Sequence, residues 1–486
     1  MRTEEQERAF QDKVLAKAGL PSVIKRFSLR GVNGYKDIEL NAERSVKILV
    51  AENGAGKTTL LNALYSIISG NYKNFLSADF REMKLQIGSV EWNYQRDDLA
   101  PLQVEEYRIL ISNASVFDAL DIPIPSKFEL EELFILNDAE AEDSLSASTY
   151  FSRMSADRRF SSVYLKNVMS NFLGSFSSDT GRERREAFVR LHTEVVEALN
   201  GAVVLYLPTY RRIEASFPEY MPTKRNSQGI RRHSKRWAAD QLIHFGLQDV
   251  EARLDELGEE IRRSTVQAFS EISGRTLDDL LTGSYQRNIG HTSAIDVQSL
   301  HVVLGRLGRD NVKTRKRLEA IIQSGEINQE SNLYLKSFLD QLLQTYKTTQ
   351  NIENLIESFI EAVNSYWDDD ESEKRFQFDK GSAEATVRNS YTNDALPLSS
   401  LSSGEKQIVS IFSRLYLEQN REIIVLIDEP ELSLSIDWQK KLLPDMIFAP
   451  NCRQIVSITH SPFIFKNTLN KFANALVVRK RKKVRQ

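Results

Sequence analysis

Residues Val46 to Thr59 constrain the fold of this chain more than any other stretch. Val46-Lys47-Ile48-Leu49-Val50 is a short apolar run that leads straight into Ala51-Glu52-Asn53-Gly54-Ala55-Gly56-Lys57-Thr58-Thr59. A helical pattern follows, with Leu60, Leu61, Leu64, Ile67 and Ile68 on its buried side. Strand, small-residue loop and helix in this order make a phosphate loop. Small residues let the backbone wrap phosphates, so that successive N–H groups point inward at a helix N-terminus. Asn53, Gly54, Ala55, Gly56, Lys57, Thr58 and Thr59 are the expected phosphate-contacting residues. Lys57 would reach the β- and γ-phosphates of a nucleotide, and the Thr58 hydroxyl would ligate Mg²⁺. Ala51 stands where the usual pattern has its first glycine, a departure that a small Cβ can tolerate.

The rest of the chain alternates between strand and helix character. Ile423 to Ile427, Gln454 to Ile458 and Gly201 to Pro208 are apolar runs of the kind found in a parallel sheet covered on both faces. Val23 to Val50 reads as strands with a turn at Gly31 to Gly34, and Met83 to Tyr94 alternates like an edge or antiparallel strand. Two long helical patterns step by three and four. The first runs through Ile243, Leu247, Val250, Leu254, Leu257 and Ile261; the second runs from Leu335 to Tyr366, with Thr349 at a seam position. They fit either two amphipathic helices in a bundle or an antiparallel, coiled-coil-like arm. The expected class is α/β: a P-loop core with a mixed sheet plus a large, mainly helical insertion. The expected divisions are 1–95 (N-terminal lobe with the phosphate loop), 96–235 (insertion and a returning core strand at 201–214), 236–375 (helical arm) and 376–486 (C-terminal lobe).

Two further segments carry chemistry. Ile423 to Glu429 is a buried strand that ends in adjacent acids, which is costly unless the acids are used. Asp428 would hold the Mg²⁺ shell, and Glu429 would orient and polarise an attacking water; the plainer reading is a solvated pair at a strand end. Leu401-Ser402-Ser403-Gly404-Glu405-Lys406-Gln407 places hydroxyls and a glycine at a helix start. Ser402, Ser403, Gly404 and Glu405 thus form either an anion-binding cap or an ordinary capping box.

The set AENGAGKTT, LSSGEKQ, IIVLIDEPELSL and SITHSP, in that order, resembles the ABC ATPases of the RecF, SMC and OLD group. The likeness covers roughly residues 20–95 and 380–475. It implies an ABC-type core that binds ATP with Mg²⁺ and hydrolyses it. LSSGEKQ resembles the ABC signature, with Ser403 for a glycine and Glu405 for a glutamine; the family closes this cap over the γ-phosphate held by a partner subunit. A homo-oligomer with nucleotide-bridged interfaces is therefore expected. His460 matches the family's switch histidine, which contacts the γ-phosphate, and Ser433 to Asp437 sits where the family places its D-loop. Lys57 and Ser402 lie far further apart than in a transporter's ABC domain.

Leu205 to Glu214 and the phrase EPELSLSIDWQKKLLPD resemble bacterial antiphage-defence ATPases of the AriA (PARIS) and PtuA (Septu) kinds. That likeness implies a sensor or scaffold subunit controlling a separate effector nuclease, Toprim-like or HNH, in response to a phage trigger protein. Too little chain follows His460 for the Toprim domain that OLD nucleases carry. A RecF- or SMC-like DNA-repair or DNA-binding ATPase is the alternative.

Composition narrows the partners. The net charge of −3 gives no global nucleic-acid or membrane footprint, so any basic surface is local. Two basic runs, Arg211 to Arg236 and Arg479 to Arg485, are either solvated or contact nucleic acid or an acidic partner. One cysteine, Cys452, excludes an internal disulfide and fits a reducing cytoplasm. Met1 to Asp12 lacks the apolar stretch of a signal peptide, and no run of residues is apolar enough to span a bilayer. His192, His233, His244, His291 and His301 read as surface or packing residues.

Overall fold

The computed structural model describes residues 3–52, 54–100, 123–126, 129–130, 133, 148–155, 168–169, 179–208, 247–282, 296–307, 312–367, 372–419 and 421–480. Asn53, the Arg211 to Arg236 run, the tail from 481 onward, and His233, His244 and His291 lie outside them.

A wholly parallel sheet forms the centre. Its order is β12 (Ala473–Ala475), β3 (Val46–Val50), β11 (Cys452–Thr459), β10 (Ile423–Asp428) and β6 (Val203–Leu207). Every residue of β10 is buried, as its unbroken apolar run requires. Alternate side chains of a strand point to opposite faces, and the sheet divides two cores accordingly. Ile423, Val425 and Ile427 enter one core; Ile424 and Leu426 enter the other.

Helices cover the first face: α1 (Glu4–Ala18), α4 (Leu247–Thr282), α7 (Leu333–Trp367), α8 (Ser403–Leu417) and α9 (Ile436–Phe448). Helix α1 lies in the charge-rich N-terminal stretch. Thr3 and Gln6 form its capping box, and Phe10, Val14 and Ala18, four residues apart, make its buried stripe.

The second face is covered by α2 (Lys57–Ile68), α3 (Asp179–Ala198) and an antiparallel sheet. That sheet has the order β13 (Val477–Lys480), β2 (Lys36–Asn41), β1 (Ile24–Val32), β4 (Glu82–Ile87) and β5 (Val90–Gln95). Parallel and antiparallel pairing are thus both present, but in separate sheets. The alternation from Met83 to Tyr94 is a hairpin of two strands rather than one, turning at Gly88, with β5 at the edge.

The two long helical patterns are α4 and α7, of 36 and 35 residues, each about 50 Å long at 1.5 Å per residue. They run antiparallel. Val250, Leu254, Leu257 and Ile261 join Ile356, Phe359, Ile360 and Val363 in the main core. Further out, Ile272 meets Leu339 and Leu342, with Leu300 and Val303 of α5 (Val297–Arg306), in a separate small core, against which Leu318, Ile321 and Ile322 of α6 (Val312–Gln323) pack. The pair is therefore built into the main core at one end and carries its own core at the other. A three-stranded antiparallel sheet, β7 (Lys374–Asp379), β8 (Glu384–Asn389) and β9 (Ala395–Leu396), follows α7. Its first turn packs against this pair, where Arg262 Nη1 donates to the Ser382 carbonyl at 2.7 Å. Among the described residues, no helix is long and apolar enough to cross a membrane.

Candidate functional site

Strands β3, β11 and β10 are consecutive and parallel, so their carboxyl ends lie along one edge of the sheet. Open α/β sheets bind ligands at this edge. The phosphate loop leaves β3 there, Asp428 ends β10, and His460 follows β11 directly.

The loop closes onto α2 through Gly56, whose φ of 95° is left-handed and whose missing Cβ leaves room for the Ile38 side chain. Among the described residues no side chain caps α2, which leaves its first N–H groups to an anion. Ala51 is not among the residues with positive φ, which is why a Cβ fits there; its N–H donates to the Thr459 carbonyl at 3.4 Å. From outside the loop, Lys36 Nζ donates to the Gly54 carbonyl at 2.6 Å.

Three separated segments meet at the loop. Thr58 Oγ1 donates to Asp428 Oδ2 at 2.7 Å. The buried Lys57 ammonium lies 3.1 Å from Glu429 Oε1 and contacts His460 Nε2. His460 Nε2 is 3.2 Å from the same Glu429 oxygen. Glu429 takes a left-handed φ of 52°, unfavourable for a residue with a Cβ, and its N–H donates to the Ile458 carbonyl at 2.8 Å. The turn that follows supplies Glu431. Its carboxylate accepts from the His460 N–H (2.8 Å), the Ser461 N–H (3.1 Å) and the Thr459 hydroxyl (2.7 Å), so it holds the histidine loop in place.

The Ser402 to Glu405 segment starts α8. Ser402 is the N-cap of α8: its Oγ accepts from the Glu405 N–H at 3.3 Å, and its own N–H donates to Glu405 Oε2 at 2.6 Å. Lys374 Nζ adds an ion pair to Glu405 at 2.9 Å. Burial acts to raise the Glu405 pKa, but Lys374 and the Ser402 donors outweigh it, and the net shift is downward. The Glu405 carboxylate is thus engaged within its own chain. Gly404 packs on the backbone of Ser433, and Gln407 Nε2 donates to the Pro430 carbonyl at 3.2 Å. Among the described residues, no hydrogen bond or ion pair joins Ser402, Ser403, Gly404 or Glu405 to Lys57 or Thr58.

The donor chemistry fits Mg²⁺. A hydroxyl and a carboxylate oxygen side by side are hard donors, and Mg²⁺ characteristically takes one or two protein oxygens along with phosphates and water. Lys36 and Glu431 are absent from the sequence expectation. Glu431 carries a weak signal, an acid in EPEL two residues after Glu429. Lys36 carries none, since it reads as one charge in a strand. Of the remaining histidines, His192 Nδ1 lies 3.0 Å from the Ile67 carbonyl and His301 pairs with Glu319 at 3.3 Å, both packing roles.

With this geometry in view, the AAA ATPase domain family matches residues 23–465. The chain belongs to that family; it is a P-loop ATPase of α/β fold. Among solved structures it is similar to the Smc head domain with an extended coiled coil bound to the C-terminal domain of ScpA, derived from Pyrococcus furiosus. The identity is 12%, the match covers 94% of this chain and 96% of that one, and the TM-score is 0.32. Comparison with curated proteins finds no match.

Proposed function

We propose that this chain is an ABC-type ATPase of the RecF, SMC and OLD group that hydrolyses ATP to ADP and phosphate at the Lys57 site. The observation that carries this reading is the meeting of two hydrogen-bonded groups at the phosphate loop, Thr58 with Asp428 and Lys57 with Glu429 and His460. The backbone from Gly54 to Thr59 cradles the phosphates, and Lys57 binds the β- and γ-phosphates. A triphosphate draws the Lys57 ammonium from Glu429 and leaves that carboxylate to a water. Glu429 orients the water and accepts a proton from it; the water's oxygen bonds to the γ-phosphorus as the bond to the bridging oxygen breaks, and ADP departs with the electron pair. His460 steadies the γ-phosphate. Thr58 and Asp428 would hold Mg²⁺, whose charge offsets that of the phosphate oxygens.

The likeness of Ser403 and Gly404 to the family's signature, which closes over a partner's γ-phosphate, supports a site completed by a second copy. We read the chain further as the sensor and scaffold subunit of a bacterial antiphage defence system, cytoplasmic, holding a separate Toprim-like or HNH nuclease until a phage trigger protein arrives. The likeness of Leu205 to Glu214 and of EPELSLSIDWQKKLLPD to AriA and PtuA supports this role.

Lys57→Ala is expected to abolish ATP binding, and Glu429→Gln to keep binding while stopping turnover. Calorimetry and phosphate release check both; unchanged hydrolysis in either variant sinks the assignment. Purification from the native cell with mass spectrometry tests the role. A co-purifying nuclease supports defence, whereas salt-sensitive duplex binding with DNA-stimulated hydrolysis favours the repair alternative.

A further inference from the structure

We infer that Lys36 is a positioning residue of the phosphate loop, presetting it for a nucleoside di- or triphosphate; the inference rests on the nucleotide reading above. Lys36 opens β2 and is buried. A buried ammonium is costly unless it is paired. Among the described residues, no carboxylate forms an ion pair with it. Its Nζ donates to the Gly54 carbonyl at 2.6 Å and sits 5.1 Å from the centre of the Tyr35 ring. The adjacent acid, Asp37, accepts instead from the Gly31 N–H at 2.8 Å.

The Gly54 carbonyl and the Ala55 N–H belong to one planar trans peptide and point in opposite directions. Holding the carbonyl outward toward Lys36 therefore turns the Ala55 N–H into the loop, where it donates to the Glu52 carbonyl at 3.3 Å. Gly54 itself is left-handed, with φ 75°, a conformation open to glycine. The brace is stiff because β2 is paired on both sides, to β1 and to β13. Ile38, on the same face of β2 two residues on, packs at Gly56. One strand thus supports the loop at two points, by a hydrogen bond at Gly54 and by packing at Gly56. The ammonium also adds positive potential to the cradle, and a polyphosphate supplies a counter-charge that the described residues do not.

The test uses the full-length chain with Lys36→Met, comparing ATP turnover, ADP binding and the melting temperature without nucleotide. KM for ATP and Kd for ADP are expected to rise about 10- to 100-fold, the span of a hydrogen bond to a charged group. The loss should sit in KM rather than kcat, with the melting temperature close to wild type. An unchanged KM overturns the inference, and so does a loss shared by KM, kcat and melting temperature, which would be damage to the fold. Should the methionine variant not fold, Lys36→Arg decides. It keeps the charge, but its planar fork does not reproduce the single short donation. ATP affinity clearly weakened in a folded arginine variant supports the positioning role, and unchanged affinity overturns it. A wild-type chain that neither binds nor hydrolyses ATP refutes the nucleotide reading itself. Wild-type binding beside an indifferent Lys36→Met refutes only the inference.

Discussion

Gly404 is held against a backbone carbonyl. A Cβ added there would lie 2.5 Å from the Ser433 oxygen, well inside contact distance. Ser433 is itself left-handed, with φ 66°, so its carbonyl has little freedom to yield. Gly404→Ala is expected to shift the tip of α8 against the 433–437 turn without touching Lys57 or Thr58. ATP binding should hold while turnover falls about tenfold or more, tenfold being roughly 1.4 kcal/mol of barrier. Equilibrium binding and turnover on one preparation check this, and wild-type turnover in the variant counts against a part for this tip in the reaction. The glycine stood out in the sequence because Ser-Ser-Gly-Glu opens a helix; the carbonyl it accommodates did not, because Ser433 lies in a later turn. Glu431 makes the same point, since its partners Thr459, His460 and Ser461 follow a whole strand and helix later. Local chemistry is legible from residue types, whereas the side chains that steady it depend on which loops the fold brings together.

At the level of elements, the seam residue Thr349 has a physical explanation. It lies in α7 beside a buried ion pair. Arg306 of α5 places Nη2 2.8 Å from Glu353 Oε1, with both side chains almost fully enclosed. Thr349 Oγ1 accepts from Arg306 Nη1 at 3.1 Å and donates to Glu353 Oε1 at 3.0 Å, and Arg306 Nε donates to the Lys380 carbonyl at 2.9 Å. The pair thus ties α5 and α7 to the β7–β8 turn. Helical stepping located α7 but not this joint, because Glu353 reads in sequence as one more charge on a solvated face. Removing one partner leaves the other buried and uncompensated, at about 3–5 kcal/mol. Glu353→Ala is therefore expected to lower stability by that order. Arg306→Met combined with Glu353→Leu should recover most of it, since well-packed apolar replacements of buried pairs are often neutral. Urea unfolding of Arg306→Met, Glu353→Leu and their combination, beside Glu353→Ala, checks this. Additive losses would mean that the residues act independently.

For the whole molecule, one fact of topology gathers the candidate site. The phosphate loop, the Asp428–Glu429 pair and His460 are far apart in the chain, and only the order β3–β11–β10 brings their strand ends to one edge. The apolar runs indicate parallel strands but do not fix their order, since each run would suit any interior position. The same topology leaves Ser403 and Gly404 bonded to neither Lys57 nor Thr58, and leaves Ile436 and Phe463 exposed near the 433–437 turn and the histidine loop. A second copy that covers these side chains would bring its own Ser403 and Gly404 to the first copy's phosphates. Two defective chains should then repair each other. Lys57→Ala keeps a sound signature, and Gly404→Ala keeps a sound phosphate loop. Mixed, they form a heterodimer with one site intact and the other doubly defective. If chains exchange freely, half the dimers are mixed and each holds one good site of two, so about a quarter of wild-type activity is expected from random pairing of a twofold dimer. The measurement is phosphate release from each variant alone and from the mixture at equal total concentration, with light scattering to establish co-assembly. Activity in the mixture no greater than the mean of the two variants alone, despite co-assembly, would mean that each chain completes its own site.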